Sequence, residues 1–230
     1  MPNWCNNAIN IAGPISKIEP LYKQATSEDD NLGLLNGMRA RPQELNDTTA
    51  PSADSDERRA ELVERYGSDN WYDWAVKNWG TKWEVSPEGL EYSEDPFNGT
   101  ATITGWFDSA WSPPMDALHY YAAENPDVVI ELKYHEPGMC YVGEAEWSGG
   151  DVVLDNCVDF SEYTAATVRD AIGEDLDDFW AISENMEMWE EENDDATYHE
   201  EKNGNVTLDI PGDEDPSIRG KGVRDIPGDF

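Results

Sequence analysis

Positive charge is what this chain has least of: fifteen Lys and Arg stand against fifty Asp and Glu, a formal net charge of −35 over 230 residues. Nucleic acid and anionic membranes are held by Lys and Arg that neutralise phosphates, so direct binding to either is not expected. Cysteine is also scarce. Cys5, Cys140 and Cys157 are an odd set with no C-x-x-C spacing, which argues against a disulfide framework or a zinc site and for buried free thiols. No apolar run approaches the roughly 18 residues of a membrane span. The start, Met1-Pro-Asn-Trp-Cys-Asn-Asn7, lacks the basic and apolar regions of a signal peptide, so the protein is expected in the cytoplasm.

Enzyme signatures are missing as well: there is no G-x-S-x-G, H-E-x-x-H, Walker loop or G-x-G-x-x-G. No catalytic residue, cofactor or metal is therefore expected. His135 and Cys140 can meet across a turn but bring no third ligand, and Glu174-Asp175-x-Asp177-Asp178 lacks the spacing of an EF-hand loop.

What is present is bulk for a core. Hydrophobic residues make up 38% of the chain, with ten Trp, ten Tyr and five Phe, enough to fold one or two domains against the self-repulsion of the charge. Ile9 and Ile11 alternate with Asn10 in a strand over 8–12, and a helix with Ile15, Ile18 and Leu21 follows. Residues 31–56, broken by Gly33, Gly37, Pro42 and Pro51, read as an inserted loop. Helices are expected over 56–66 and 69–79, the second capped by Asp69 and Gly80. A strand is expected over 82–85, a turn-rich connection over 86–99 and a strand over 100–107. Ser112-Pro113-Pro114 opens a third helix, ended by Asn125-Pro126. Three strands then follow over 127–134, 140–147 and 152–158, separated by Pro137-Gly138 and Gly149-Gly150. The pattern predicts an α+β fold: an antiparallel-rich sheet with helices mainly on one face.

Three blocks carry a family resemblance: the Trp4-containing start, Asn78-Trp79-Gly80-Thr-Lys-Trp83, and Ser109-Ala-Trp111-Ser-Pro113-Pro114. With Pro42-Gln-Glu-Leu45, Tyr134-His-Glu-Pro-Gly138 and Tyr141-Val-Gly143, they resemble the YubB-type ferredoxin-like domain family of plasmids and phages. The resemblance covers residues 1–160. It implies a ferredoxin-like α+β core and a mobile-element origin, in an infected or plasmid-bearing host cell, and no catalytic mechanism. Trp79, Trp83 and Trp111 are expected to pack together as a buried junction.

Beyond that domain, 161–192 reads as an acidic helical extension, with one helix to Gly173 and another over 176–191. Residues 193–230 read as an acidic tail whose Asp-Ile-Pro-Gly-Asp sequence at 209–213 recurs at 225–229. The tract 174–201 holds thirteen carboxylates and no Lys or Arg. Carboxylates about 5–6 Å apart on a helix can imitate the phosphate track of DNA, which has one charge per ~1.7 Å of axis. The expected binding residues are Glu174, Asp175, Asp177, Asp178, Glu184, Glu187, Glu190, Glu191, Glu192, Asp194 and Asp195. The expected function is non-enzymatic: an accessory protein that blocks a basic, nucleic-acid-handling host protein, in host takeover or against host defence. Two alternatives stay open, an acid-rich accessory protein adapted to a saline milieu and an enzyme with an unrecognised site. The oligomeric state is left open too.

Overall fold

Burial alternates from the first strand onward: Cys5, Asn7, Ile9 and Ile11 face a covered layer while Asn6, Ala8 and Asn10 do not, the period of two that defines a strand with one buried side. The structure is a computed structural model that describes residues 3–29 and 32–203, with side chains to residue 192. In chain order the elements are β1 (Trp4–Pro14), α1 (Ile15–Ala25), α2 (Leu34–Met38), α3 (Gln43–Asn46), α4 (Asp56–Tyr66), α5 (Trp71–Trp79), β2 (Leu90–Asp95), β3 (Thr100–Ala110), α6 (Met115–Glu124), β4 (Val129–Glu136), β5 (Tyr141–Ser148), β6 (Asp151–Asp159), α7 (Ala165–Ile172), α8 (Glu174–Trp180) and α9 (Ile182–Asn203). The six strands form one sheet in the order β2-β3-β1-β4-β5-β6, every neighbouring pair antiparallel. The first four strands follow a β-α-β-β-α-β course with β1 between β3 and β4, which is the ferredoxin-like arrangement, and β5 and β6 continue it as a meander. The chain divides into two units, Met1–Met188, which holds the sheet, and Trp189–Phe230, whose described part is helical.

Register builds the core. Ile103, Ile11, Ile130 and Trp147 stand side by side across four strands, all buried on the same face. Onto this row pack Ile18 and Leu21 of α1, Leu34 and Leu35 of α2, Trp74 and Trp79 of α5, and Leu118 and Tyr121 of α6. Burying each such side chain is worth roughly 1.5–3 kcal/mol, the term that offsets charge repulsion. Helix α5 is capped by Asn70, one residue later than expected, whose side chain accepts the Asp73 N–H at 2.9 Å. It ends at Gly80 in the left-handed conformation, φ 84°, as the sequence indicated.

Three readings of the connections need correction. Residues 82–85 are not a strand, because Glu84 turns inward and accepts from the N–H groups of Leu35 and Asn36 at 2.7 and 2.9 Å at the start of α2. The stretch 86–99 is not merely a turn-rich connection: it contains β2, which pairs with β3 from Leu90–Gly105 to Asp95–Thr100. The 31–56 stretch includes the short helices α2 and α3, and Glu44 of α3 ties it to α4 by accepting from Arg58, Arg65 and Tyr66. Those three donors hold the Glu44 carboxyl down at about 2.

The opposite face of the sheet is covered only in part. Phe160, Val168, Ile172, Leu176 and Ile182 cluster with Val142 of β5, placing α7 and α8 there. The single helix expected over 176–191 is broken at Ala181, a left-handed residue with φ 52°. Asp177 fixes the break by accepting from the Ser183 N–H and O–H at 2.8 and 2.6 Å. α9 then runs to Asn203, past the boundary read at 192, and the repeated Asp-Ile-Pro-Gly-Asp segments lie outside the described residues.

Replacing Glu84 with Ala leaves two backbone donors of α2 without their acceptor in a buried place. The expected loss is about 3 kcal/mol of unfolding free energy, read as a lower urea midpoint at unchanged slope.

Candidate functional site

One end of the sheet gathers the sequence blocks. Antiparallel pairing sets Trp4 opposite Ala110 and Cys5 opposite Ser109, while Glu136 stands opposite Tyr141. Trp111, just past β3, donates its N–H to the Asn3 carbonyl at 3.0 Å, and its own carbonyl accepts from the Tyr141 hydroxyl at 2.6 Å. Thr81 and Ser112 pin the Gly80 turn to this corner through the Ala110 and Gly80 carbonyls, at 2.9 and 2.5 Å. Asn78 and Trp79 belong to the core beneath. The Asn78 amide donates to the Trp74 carbonyl, the Trp79 indole N–H donates to the Arg39 carbonyl at 2.8 Å, and the Arg41 guanidinium lies over the Trp79 ring. Pro113 and Pro114 are buried at the start of α6.

The expected buried junction of Trp79, Trp83 and Trp111 does not form. Trp79 is fully buried, but Trp83 and Trp111 are 39% and 42% exposed, beside Trp4 at 44%. The reason is local: Trp111 has φ 72°, which swings its ring out of the strand direction, and Lys82 fills the space between the two indoles. Its ammonium lies 3.8 Å from the Trp83 ring centre and 4.0 Å from that of Trp111. Cys140, in the turn on the same corner, is a second non-glycine residue with positive φ, 55°. A left-handed L-residue costs of order 1–2 kcal/mol, and such positions collect at functional sites. Below, burial pushes the Cys5 thiol up to about 12. Glu136 is fully buried, with one carboxylate oxygen taking the Met139 N–H and the other without a partner among the described residues. Of the three cysteines only Cys5 is buried; Cys140 is half-buried and Cys157 exposed.

The second arrangement is the open part of the sheet's other face. A groove of about 410 Å³ is lined by Asn10, Trp106, Glu131, Lys133, Glu144, Glu146, Leu154 and Phe179. Trp106 stacks on Phe179 at 5.3 Å, Trp180 meets Trp106 edge-on, and the Lys133 ammonium lies over the Phe179 ring at 4.8 Å. Among the described residues, no Lys or Arg pairs with Glu131, Glu144 or Glu146. The sequence pattern did not single out these acids; their convergence needed the pairing of β4 with β5 and the arrival of α8 above them.

The acidic tract is less uniform than its composition. Arg169 of α7 lies among Glu174, Asp177 and Asp178 at 2.9, 2.8 and 2.5 Å, so three of the tract's charges are paired within the chain. Asp177 is 2% exposed and serves as the cap described above, not as a surface contact. Asp175, Glu184 and Glu187 are exposed, as are Glu191 and Glu192 in the second unit, where Glu190 is half-buried; the side chains of Asp194 and Asp195 lie outside the described residues. Among the described residues, no group of three or more His, Cys, Asp and Glu side chains could hold a metal ion, and no helix is long and apolar enough to cross a membrane.

Fold and corner together define a ferredoxin-like α+β protein with an aromatic-rich end. Residues 79–179 match a family model described as the ferredoxin-like domain in Api92-like protein, a span that includes Trp79–Trp83 and the Trp111 block and amounts to less than half of the chain. Among solved structures the chain is similar to the crystal structure of a protein api92 from Yersinia pseudotuberculosis, at 11% identity and a TM-score of 0.41, over 68% of this chain and 98% of that one. No curated protein matches the chain.

His135, between the rings of Phe160 and Trp180 at 5.7 Å from each, reports on how α8 covers the sheet. Burial lowers its pKa from 6.5 to about 4. The folded value lies below the unfolded one, so the folded state resists protonation. Its contribution to stability is complete above the unfolded value and lost as pH falls from 6.5 toward 4. Replacing His135 with Phe removes that loss: the melting temperature of the variant is expected to gain on the native protein steadily across this window, with a constant difference above pH 7.

Proposed function

We propose that this protein works by binding, not catalysis, and that its partner is a basic protein whose Lys- or Arg-rich segment lies in the open sheet groove. The observation that carries this reading is the set of three carboxylates with no Lys or Arg partner among the described residues, Glu131, which accepts only the Asn10 amide at 2.6 Å, Glu144 and Glu146, lining the same groove as the stacked Trp106 and Phe179 rings. Carboxylates take the charged heads of such a segment, and ring faces take its guanidinium or ammonium groups. Nucleic-acid-handling proteins are the first class of partner to test, because their grooves are shaped for closely spaced negative charge. The exposed acids Asp175, Glu184 and Glu187 then act by steering, raising the rate of encounter. In this reading the protein acts in the cytoplasm of a plasmid- or phage-bearing cell, the setting that the resemblance of its sequence blocks implies.

The test is binding of an Arg-rich peptide and of a basic DNA-binding protein, in competition with duplex DNA. Replacing Glu131, Glu144 and Glu146 together with Gln is expected to weaken binding about tenfold or more, through faster dissociation. Replacing Asp175, Glu184 and Glu187 with Asn or Gln is expected to slow association and flatten its salt dependence. Equal binding by native and groove variants removes the groove from the mechanism.

A second reading, salt adaptation, is favoured by the spread of exposed acids over every layer: Glu57 and Glu61 on α4, Glu91 and Glu94 on β2, Asp151 and Asp155 on β6. The two readings separate in a melting series. Screening is substantial at 0.1 M salt, where the Debye length is about 10 Å. A binding protein is expected to be folded there, whereas a salt-adapted one unfolds below about 1 M, where the Debye length is only ~3 Å.

A further inference from the structure

Lys82 is one of only fifteen cations in the chain, and it is placed face-on between two half-exposed indoles. The backbone does not need it there: Gly80 and Thr81 fix the turn, and Lys82 joins no ion pair among the described residues. The rings are held independently of the lysine. Trp4 leans on Trp83 at 6.0 Å, Tyr72 meets the edge of Trp111 at 6.4 Å, and the outward turn of Trp111 is fixed by its bonds to Asn3 and Tyr141. Trp111 is a large left-handed residue held with its ring 42% exposed outside the core, and the core gains nothing from that exposure.

The occupant shows what the rings attract. Indole faces draw cations, and most strongly those that lose little hydration on arrival. A primary ammonium is a poor match, because its three N–H donors are better satisfied by water. A methylated ammonium has few or no such donors, and its methyl groups are themselves apolar. We propose that Trp83 and Trp111, backed by Trp4, form a binding cage for a methylated ammonium, closed in the free protein by the chain's own Lys82, which the ligand displaces. The displaced lysine has a flexible stem and regains its hydration, so what it forfeits on leaving is its contact with the two rings, and the strongly negative surface concentrates cationic ligands nearby. The same head group occurs on small quaternary ammonium compounds and on methylated lysine side chains of proteins. The cage is separate from the sheet groove, and neither depends on the other.

The test titrates the full chain with choline and with a trimethyllysine peptide, following tryptophan fluorescence at constant ionic strength, with the unmethylated peptide as control. Lys82→Ala is expected to bind the methylated probes about five- to tenfold more tightly than the native protein, since the internal competitor is gone. Trp83→Ala loses binding while its circular dichroism stays native, and Trp83→Phe keeps part of it. Saturation by the peptide alone assigns the ligand to a modified protein, and saturation by choline as well assigns recognition to the head group itself. The proposal is overturned if neither methylated probe saturates, if Lys82→Ala binds no more tightly than the native chain, or if the unmethylated peptide binds equally well.

Discussion

The register of β1 against its two neighbours is the constraint on which the structure depends. β1 pairs with β3 from Trp4–Ala110 to Pro14–Thr100 and with β4 from Asn6–His135 to Ala12–Val129. Because strand side chains alternate, a slip of one residue would turn Ile9 and Ile11 to solvent and drive Asn10 into the core. The same register delivers the corner: with Trp4 opposite Ala110, the next residue, Trp111, meets Asn3, and the rings of Trp4, Trp83 and Trp111 come to one end of the sheet. Core and candidate site are thus two consequences of one pairing.

Against a net charge of −35, many of the cations among the described residues are engaged by the chain's own carboxylates and rings. Arg58 and Arg65 share Glu44, and Arg169 is shared by three carboxylates. Arg39, Arg41, Lys82 and Lys133 lie over aromatic rings. Cations so engaged are scarcely available to phosphates. The protein therefore presents carboxylates and ring faces outward, two kinds of group that both prefer a cationic counterpart. The proposed groove and the proposed cage rest on different residues, yet they follow from this one allocation of charge.

The aromatic residues divide along the same line. Trp74 and Trp79 meet edge-on in the core at 5.6 Å, where packing explains them. Trp4, Trp83, Trp106 and Trp111 remain exposed on a protein whose apolar layer is already filled. Single exposed rings are ordinary; rings gathered with a cation and a strained backbone are what single out this corner as a candidate site.

Elements with a strong local signature were legible in the sequence. Proline and glycine punctuation and helical spacing located α4, α5 and α6, alternation located β1, β3 and the final meander, and together they indicated an antiparallel-rich α+β sheet, while the ferredoxin-like arrangement was implied only by the resemblance of the sequence blocks. Where the deciding partner is distant, local pattern failed. Residues 82–85 alternate like a strand, but Glu84 is claimed by the start of α2, nearly fifty residues earlier in the chain. Ala181 breaks a helix whose apolar spacing runs on undisturbed, because Asp177 holds Ser183. Asp177 reads as one acid among many until Arg169 folds against it. The sequence by itself determined which residues are apolar and at what period, and hence the elements and the sign of the surface. Tertiary structure alone decided which tryptophans are core and which are surface, which acids are paired and which are free. Those outcomes depend on contacts between residues far apart in the chain, which no local spacing encodes.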